Sequence, residues 1–279
     1  MIRLRRMTTA DLPLGMRLKH QAGWNQTEAD WRRLLALAPE GCFVAECDER
    51  PVGTAAACGF GRVGWIAMVL VDVACRRQGI GTRLVEHLIA YLERQEVRSI
   101  RLDATPSGRP VYEKLGFRVE YELARWEGAA PLRGTRQSAV LAETDHLQAI
   151  AELDRQLTGT PRLRLIEHLF QQQPRAMRVA VGPEGLLGYA SWREGSLAAY
   201  IGPAMALSAE IGQELADATL NACAGRLVFV DVPCDNRPAT HWARSCGLTV
   251  QRPLIRMVRG EPVADRVACL WASSGPETG

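Results

Sequence analysis

One stretch decides the fold of its half of the chain, and it reads Val69-Leu70-Val71-Asp72-Val73-Ala74-Cys75-Arg76-Arg77-Gln78-Gly79-Ile80-Gly81-Thr82. Its apolar, β-branched beginning predicts a buried strand, and its two glycines predict a loop. Apolar residues recur behind it at helical spacing, so residues 81–95 are predicted to form an amphipathic helix. The start of such a helix can bind anions, because its first N–H groups lack intrahelical partners and the helix dipole attracts negative charge. Taken alone, the stretch fits an ordinary strand-to-helix turn equally well.

The elements around this stretch alternate between strands and helices. Strand-like runs occupy residues 2–6, 42–46, 51–60, 64–73, 99–104 and 117–126. One helix-like run ends near residue 22, and two others occupy residues 27–38 and 110–115. The predicted order is β-α-α-β-β-β-α-β-α-β, an α/β fold with a mixed sheet. Residues 59–64 match G-x-G-x-x-G, but a β-rich run follows them instead of a helix, so they are predicted to form a hairpin turn.

The second half of the chain repeats this order of elements. The closing units correspond in detail: Ile100-Arg101-Leu102-Asp103, Arg109-Pro110 and Gly116 in the first half, and Val228-Phe229-Val230-Asp231, Arg237-Pro238 and Gly247 in the second. Residues 127–137 contain glycine and proline without periodicity and are predicted to link the copies. We therefore predict a tandem duplication with domains at residues 1–130 and 138–260, each forming its own sheet and core, and a frayed tail at residues 261–279.

A second motif indicates what the glycine loop is for. It reads Val111-Tyr112-Glu113-Lys114-Leu115-Gly116-Phe117. In combination with Arg76-x-x-Gly79-x-Gly81 it resembles the GCN5-related N-acetyltransferase (GNAT) superfamily, and the order of elements is similar too. The two motifs lie within residues 65–120. With the repeat, the resemblance implies two tandem GNAT-like acyl-CoA N-acyltransferase folds.

The resemblance also implies a role for each part of these motifs. Backbone N–H groups of the loop would hold the pyrophosphate of acetyl-CoA, with the cofactor-binding residues Arg76, Arg77, Gln78, Gly79, Ile80, Gly81 and Thr82. The preceding strand would pair with the pantetheine arm and the thioester through Val69, Leu70 and Val71. Tyr112 would be the acid that protonates the leaving thiolate.

The chemistry of acetyl transfer agrees with these roles. An alkyl amine with a pKa near ~10.4 must lose a proton before it attacks, whereas a tyrosine with a pKa near ~10 keeps its proton and can donate to a thiolate near ~8.5. An extended pantetheine arm can add to a strand edge without special side chains. The alternative is that Tyr112 is a packed core residue.

The second half departs from the catalytic pattern at both motifs. It resembles the C-terminal domain of some two-domain bacterial members through residues 200–203 and 254–260. Pro203-Ala204-Met205-Ala206-Leu207-Ser208 stands where the first half has its glycine loop, and Ala243 stands where it has Tyr112. We predict a degenerate copy that does not bind acetyl-CoA productively and closes one side of the substrate cleft.

The acceptor site is predicted in the loop between the first two helices. Trp24 and Asn25 are the predicted acceptor contacts, because this loop resembles that of the two-domain members. Alternatively, Trp24 is a hydrophobic staple and Asn25 a helix cap. The general base stays open among Glu46, Asp72, Glu120 and Glu122, or a chain of waters.

Composition limits the function further. The 279 residues are 47% hydrophobic and 23% charged, as in a globular protein with a buried core. A net charge of +3 argues against a nucleic-acid partner, and the longest apolar run, residues 65–71, is too short to cross a membrane. The chain has eight cysteines and begins with a charged stretch, which favours a reduced cytoplasm. Its cysteines and histidines do not have the spacing of zinc ligands, so no metal is expected. His241, Ser245 and Asp231 lack the nucleophile elbow of a hydrolase.

Three functions are compatible with these patterns. The first is a cytoplasmic, acetyl-CoA-dependent N-acetyltransferase for a small-molecule or amino-acid-like amine, as a monomer or homodimer. Its rival is a non-catalytic acetyl-CoA or acyl-CoA sensing module, which would need neither Tyr112 nor an open acceptor cleft. Acceptors such as histones, other proteins or tRNA are a third possibility, disfavoured by the nearly neutral charge.

Overall fold

The first half of the chain forms the predicted meander and its helices. The computed structural model describes residues 2–134 and 139–279. The strands of the first half are β1 (Ile2–Arg6), β2 (Cys42–Cys47), β3 (Arg50–Phe60), β4 (Val63–Val71), β5 (Ser99–Ala104) and β6 (Arg118–Ala129). Its helices are α1 (Leu12–Gln21), α2 (Glu28–Leu37), α3 (Ile80–Glu93) and α4 (Arg109–Lys114). The order of elements matches the sequence prediction, and β3 and β4 form the expected hairpin across residues 59–64.

The second half repeats this order and adds one strand at its end. Its strands are β7 (Ala139–Leu141), β8 (Arg178–Gly182), β9 (Gly185–Arg193), β10 (Ala199–Ala206), β11 (Leu227–Pro233), β12 (Thr249–Gly260) and β13 (Leu270–Ala272). Its helices are α5 (Leu147–Thr158), α6 (Leu163–Gln172), α7 (Ala209–Asn221) and α8 (Arg237–Ser245). The sequence prediction contains neither β7 nor β13. The predicted linker also starts too early, because β6 pairs with β11 as far as Ala129; residues 135–137 lie outside the described residues.

All strands of the described residues join one sheet in which the two halves exchange strands. The order is β1-β2-β3-β4-β5-β12-β6-β11-β10-β9-β8-β7, and β13 pairs with β10. Strand β12 of the second half lies between β5 and β6 of the first, with Met257 opposite Leu102 and Leu254 opposite Leu123. The expectation that each half forms its own sheet is therefore wrong. Each half completes the sheet of the other.

Helices cover both faces of this sheet, and one of the cores is shared between the halves. Along β3, Ala55 and Ala57 belong to the core under α3, whereas Ala56 and Cys58 belong to the core under α1 and α2. Neighbouring residues of a strand point to opposite faces, which explains the alternation. The core under α1 and α2 also contains α5 and α6 of the second half, and α7 and α8 cover a further core. Within residues 2–134 and 139–279, no helix is both long and apolar enough to cross a bilayer.

The C-terminal segment is ordered and central, so the predicted frayed tail is wrong. Ser273, Ser274, Glu277 and Thr278 are all buried. Strand β13 pairs with β10, and the Ser273 N–H donates to the Asp231 carbonyl at 2.9 Å. Arginines of the second half bind the segment's carbonyl groups, at 3.0 Å from Arg193 to Ser274 and 3.0 Å from Arg162 to Thr278. These hydrogen bonds from arginine guanidinium groups to backbone carbonyls help to offset the cost of burying a polar segment.

Candidate active site

A cavity of about 230 Å³ opens where β4 and β5 separate. Its walls come from β4 and β5, the turn into α4, the loop between α1 and α2, and the C-terminal segment. Val69, Tyr112 and Trp24 all line it. The structure therefore brings together one residue from each of the three predicted groups: cofactor strand, acid and acceptor loop.

The separation of β4 from β5 frees a strand edge beside the cavity. The two strands pair in parallel only from Val63 opposite Ser99 to Trp65 opposite Arg101. Beyond that point β4 carries a bulge, where Met68 has a φ of +54° and its carbonyl accepts a hydrogen bond from the Thr54 hydroxyl at 3.1 Å. Bulges turn a strand away from its neighbour and end the pairing. An extended ligand with amide groups can pair with such a free edge.

The loop between β4 and α3 leaves its backbone open at the far end of the same strand. Gly79 is the N-cap of α3 with a φ of +76°, a left-handed conformation that favours glycine. It has no side chain to cap the helix, so the first N–H groups of α3 remain available. A Cβ at Gly81 would contact only Val71, at 3.7 Å, so the fold itself does not require a glycine there. This geometry suits an anion at the start of the helix.

The other predicted loop and strand residues divide into anchors and exposed groups. Ile80 and Leu70 are buried in the core and hold the helix and the strand in place. Arg76, Arg77 and Gln78 are exposed, and Thr82 and Val71 are half-buried. The Arg76 Nε atom donates to the Val71 carbonyl at 3.1 Å, which folds the loop back onto the end of β4.

The corresponding opening in the second half is already filled. There β10 and β11 pair in parallel only over Ala199–Ile201, and β13 lies in the gap beyond, where it pairs with β10 at Ala204. Ser273, the residue after β13, donates its N–H to the Asp231 carbonyl of β11. Trp271 of β13 packs so closely on α7 that a Cβ at Gly212 would overlap its ring. The Ser208 hydroxyl caps α7 by accepting from the Ile211 N–H at 3.4 Å. Both features of the first half, the free edge and the uncapped helix, are thus absent from this half.

Tyr112 lines the cavity from α4 and packs on the residue just before β6. Its ring packs edge-to-face on Phe117, with centroids 5.9 Å apart. Burial raises the pKa of Tyr112 to about 12, so the hydroxyl keeps its proton throughout the neutral range. Its hydroxyl has no hydrogen-bond partner among the residues that the structure describes. Tyr112 therefore brings a protonated, unpaired hydroxyl to the side chains of the cavity wall.

The two predicted acceptor residues have different surroundings. Trp24 lines the cavity, but Asn25 does not, because its side chain is used to join the halves. The Asn25 Oδ1 atom accepts from the N–H groups of Leu197 at 2.9 Å and Ala198 at 3.0 Å, and Nδ2 donates to the Ala198 carbonyl at 2.9 Å. The structure thus gives Asn25 a structural contact instead of an acceptor contact. The next residue, Gln26, lines the cavity in its place.

None of the four acidic residues predicted as possible bases lines this cavity within the described ranges. Glu46 pairs with Arg5 at 2.6 Å and Glu120 with Arg101 at 2.7 Å, and Glu122 is exposed. Asp72 pairs with Arg17, whose guanidinium holds the pKa of that carboxyl below its usual range.

The carboxylates that do line the cavity are Asp103 and Glu277. Sequence reasoning missed Glu277 because it lies in the segment predicted as frayed. The one signal that could have placed it was the apolar run Cys269-Leu270-Trp271-Ala272, which predicts that the chain returns to the core nearby.

A seam of buried ion pairs lies behind the cavity and joins the halves. Asp103 pairs with Arg256 at 2.9 Å, and Arg125 pairs with Asp231 at 2.7 Å. Asp265 pairs with Arg101 at 2.7 Å. Burial opposes the ionisation of Asp265, but the Arg101 guanidinium outweighs it and holds the pKa of the carboxyl below its usual range. Buried charges of this kind are tolerated only when both partners are present.

Among residues 2–134 and 139–279, no group of three His, Cys, Asp or Glu residues is arranged to hold a metal ion.

Sequence comparison finds relatives of both halves. The model of the acetyltransferase (GNAT) family matches residues 7–117, and that of the acetyltransferase (GNAT) domain matches residues 150–272. The holothin acyltransferase of Pseudoalteromonas sp. (strain SANK 73390) is 24% identical over 247 residues, 87% of this chain and 83% of that protein. The uncharacterized N-acetyltransferase YitH of Bacillus subtilis (strain 168) is 33% identical over 115 residues, 40% of this chain and 39% of that protein.

Solved structures share the fold over nearly the whole chain. A protein from Pyrococcus horikoshii superposes with a TM-score of 0.86 at 21% identity, covering 100% of this chain and 96% of that one. A tandem GNAT protein from the clavulanic acid biosynthesis pathway superposes with a TM-score of 0.64 at 15% identity, covering 95% and 100%. With a GNAT match in each half and this shared tandem fold, the chain belongs to the GNAT acetyltransferase superfamily as a two-domain member.

Proposed function

We propose that this two-domain GNAT protein is an acetyl-CoA-dependent N-acetyltransferase whose active site lies in the first half and whose acceptor is a small-molecule amine. One observation carries the proposal: the free edge of β4 and the Tyr112 side chain line the same cavity, and the uncapped start of α3 follows the same strand. Membership in the superfamily supplies the reaction class, which is acyl transfer to an amine.

Each part of the site has its own task in this reaction. The N–H groups at the start of α3 bind the pyrophosphate, since glycine at position 79 leaves them accessible. The backbone of β4 beyond Trp65 aligns the amides of the pantetheine arm, as an added strand would be aligned. Trp24 and the apolar residues of β4 shield the reacting atoms from water.

Tyr112 assists the departure of sulfur. Attack of a neutral amine on the thioester carbonyl forms the C–N bond, and collapse of the intermediate breaks the C–S bond. The nitrogen then loses its proton to solvent, while Tyr112 donates its proton or a hydrogen bond to the sulfur. The apolar surroundings that raise the pKa of Tyr112 also raise the pKa of a thiol formed beside it, so the thiolate becomes a stronger acceptor of the proton or hydrogen bond.

Gly81→Val is expected to weaken acetyl-CoA binding by at least about a hundredfold, roughly 2.7 kcal/mol. A Cβ at this position would contact only Val71, at 3.7 Å, so the added bulk is expected to obstruct the pyrophosphate and not the packing of the helix. The measurement is calorimetric titration of acetyl-CoA, with the melting temperature recorded in parallel.

A matched pair of variants separates ligand contact from backbone strain. Gly79 and Gly247 both have a φ of +76°, and a Cβ at either would touch nothing within 4 Å. Valine at either position therefore carries a similar strain, but only Gly79 borders the proposed phosphate site. Equal acetyl-CoA affinity in Gly79→Val and Gly247→Val would contradict the assignment of this loop.

A sensing module is the alternative function, and amine-dependent release of CoA distinguishes the two. The protein is incubated with acetyl-CoA and a set of small primary amines, and free thiol is measured. Release that depends on the amine supports the enzyme, whereas tight binding without release for any amine supports the sensor. Hexanoyl-CoA in the same assay tests which acyl group the protein transfers.

A further inference from the structure

A turn of the second half contacts the loop that carries Trp24 in the first half. The turn joins β9 to β10 and comprises residues 194–198, and the loop joins α1 to α2 and comprises residues 22–27. Asn25 of the loop is only 6% exposed, and both polar atoms of its amide bind the turn. In addition, the Ser196 N–H donates to the Asn25 carbonyl at 2.8 Å. The middle of the loop is therefore bound to the second half, while its ends continue into α1 and α2.

A buried lysine strengthens this contact. Lys19 of α1 is fully buried, and no carboxylate of the described residues forms an ion pair with it. Its Nζ atom donates to the Ser196 hydroxyl at 2.5 Å and to the Trp24 carbonyl at 3.4 Å. The Ser196 hydroxyl in turn donates to the same carbonyl at 3.4 Å. A buried cation depends on such partners because it has lost its water. Without the Ser196 hydroxyl, the ammonium would retain one long hydrogen bond.

The turn approaches the loop so closely that it has to contain glycine. A Cβ at Gly195 would lie 2.2 Å from Nδ2 of Asn25 and 2.3 Å from the carbonyl oxygen of Ala198. Any larger residue must therefore displace the amide or the turn. Asn25 lies between Trp24 and Gln26 in the sequence, and both of these residues line the cavity. A displacement of Asn25 would thus also displace the cavity wall.

The corresponding contact between the other turn and loop of the duplication has no such hydrogen bonds. There the turn between β3 and β4 meets the loop between α5 and α6, and a Cβ at Gly61 would lie 3.2 Å from the Pro161 ring. In the part of the chain that the structure describes, no hydrogen bond joins residues 59–64 to residues 159–162. The fold therefore accommodates a turn against a loop without hydrogen bonds. They occur where the loop lines the cavity.

We propose that the turn between β9 and β10 positions the acceptor-facing wall of the first half, with Asn25 and Ser196 as positioning residues that act through Trp24. The inference rests on the proposed function, because it takes Trp24 as part of the acceptor site. The turn holds the backbone at Trp24, so the indole keeps one position beside the acceptor. None of these contacts involves β4 or the start of α3. Acceptor affinity therefore depends on the turn, whereas acetyl-CoA affinity does not.

A pair of variants at Ser196 tests the hydroxyl. In Ser196→Ala we expect the KM for the fastest amine of the CoA-release assay to rise about tenfold, with kcat within about threefold and the Kd of acetyl-CoA unchanged. Ser196 is exposed, so Ser196→Thr keeps the hydroxyl without crowding and should hold KM within about threefold of the original. Equal KM values for the alanine and threonine variants overturn the inference.

Gly195→Ala tests the close approach of the turn. Its Cβ has to displace the Asn25 amide, so KM should rise at least as much as in Ser196→Ala. The control is Gly59→Ala in β3, where a Cβ would meet only the flexible end of Gln95, at 3.4 Å. We expect the control to keep the original KM. A folded Gly195→Ala variant with the KM of the control contradicts the inference.

A measurement without turnover separates the position of Trp24 from the reaction. The seven tryptophans are replaced by 5-fluorotryptophan, and the Trp24 resonance in the fluorine NMR spectrum is identified by its loss in Trp24→Phe. We expect Ser196→Ala to shift or broaden this resonance and Ser196→Thr to preserve it. An unchanged resonance in folded Ser196→Ala protein overturns the inference while the acetyltransferase function stands. If the unaltered protein releases no CoA with any amine, the proposed function fails, and the resonance alone decides whether the turn positions Trp24.

Discussion

A chain that ends at Gly134 is expected to remain unfolded or to aggregate, and not to bind acetyl-CoA. Its loss of β12 leaves β5 and β6 without the strand that lies between them. It also leaves buried Asp103 without Arg256 and buried Arg125 without Asp231. An orphaned buried charge costs about 3–5 kcal/mol, against a whole stability of about 5–15 kcal/mol. The combined free-energy cost of two such charges and of the unpaired strands exceeds the stability that the remaining core can supply.

Size-exclusion chromatography and near-ultraviolet circular dichroism measure this outcome. The control is the same fragment coexpressed with residues 135–279 as a separate chain, because the strands can then still pair. We expect the two fragments to copurify and to recover acetyl-CoA binding. A soluble fragment of residues 1–134 that unfolds cooperatively by itself would show that the strand exchange is dispensable.

Tyr112→Phe is expected to lower kcat by roughly 10²–10⁴-fold and to leave acetyl-CoA affinity nearly unchanged. The substitution removes only the hydroxyl, which no described residue binds, and keeps the ring contact with Phe117. Binding and folding should therefore persist while the departing sulfur loses its donor. Steady-state kinetics with a reactive amine and calorimetry with acetyl-CoA measure the two quantities.

Tyr91→Phe is the matched control for this substitution. Tyr91 also packs edge-to-face on a phenylalanine, Phe43 at 5.8 Å, but it lies on α3 and does not line the cavity. Removal of the Tyr91 hydroxyl should leave kcat within a few-fold of the original.

Since the pKa of Tyr112 is about 12, the protonated hydroxyl is present at lower pH and is lost only as pH rises through that value. We therefore expect no fall in rate between pH 8 and 10 from deprotonation of Tyr112.

The proposed cofactor side of the site is predictable because its signals are local. The apolar run of β4, the glycines at 79 and 81 and the helical spacing of the apolar residues of α3 lie next to one another in the sequence. Each signal reports a backbone conformation or a buried face, and none depends on a distant partner. The structure therefore confirms the predicted strand, loop and helix.

The acceptor side is not predictable in the same way because its contacts are distant. The alternation along β12 predicts a strand, but nothing in it specifies that Met257 lies opposite Leu102. Asn25 is a polar residue in a loop, and only the fold shows that its amide binds residues 197 and 198. Glu277 lies among small polar residues, and its burial depends on Arg193, which no local pattern connects to it.

Strand β13 is, in effect, a ligand that the chain supplies to its own second half. Because it is tethered, its effective concentration at the opening between β10 and β11 is on the order of millimolar, and it does not vary with the supply of metabolites. Restoring a glycine loop at residues 203–208 would therefore not by itself restore acyl-CoA binding, since a diffusing competitor would still have to displace the Trp271 side chain. In this half, the opening that corresponds to the cavity of the first half is permanently occupied by β13.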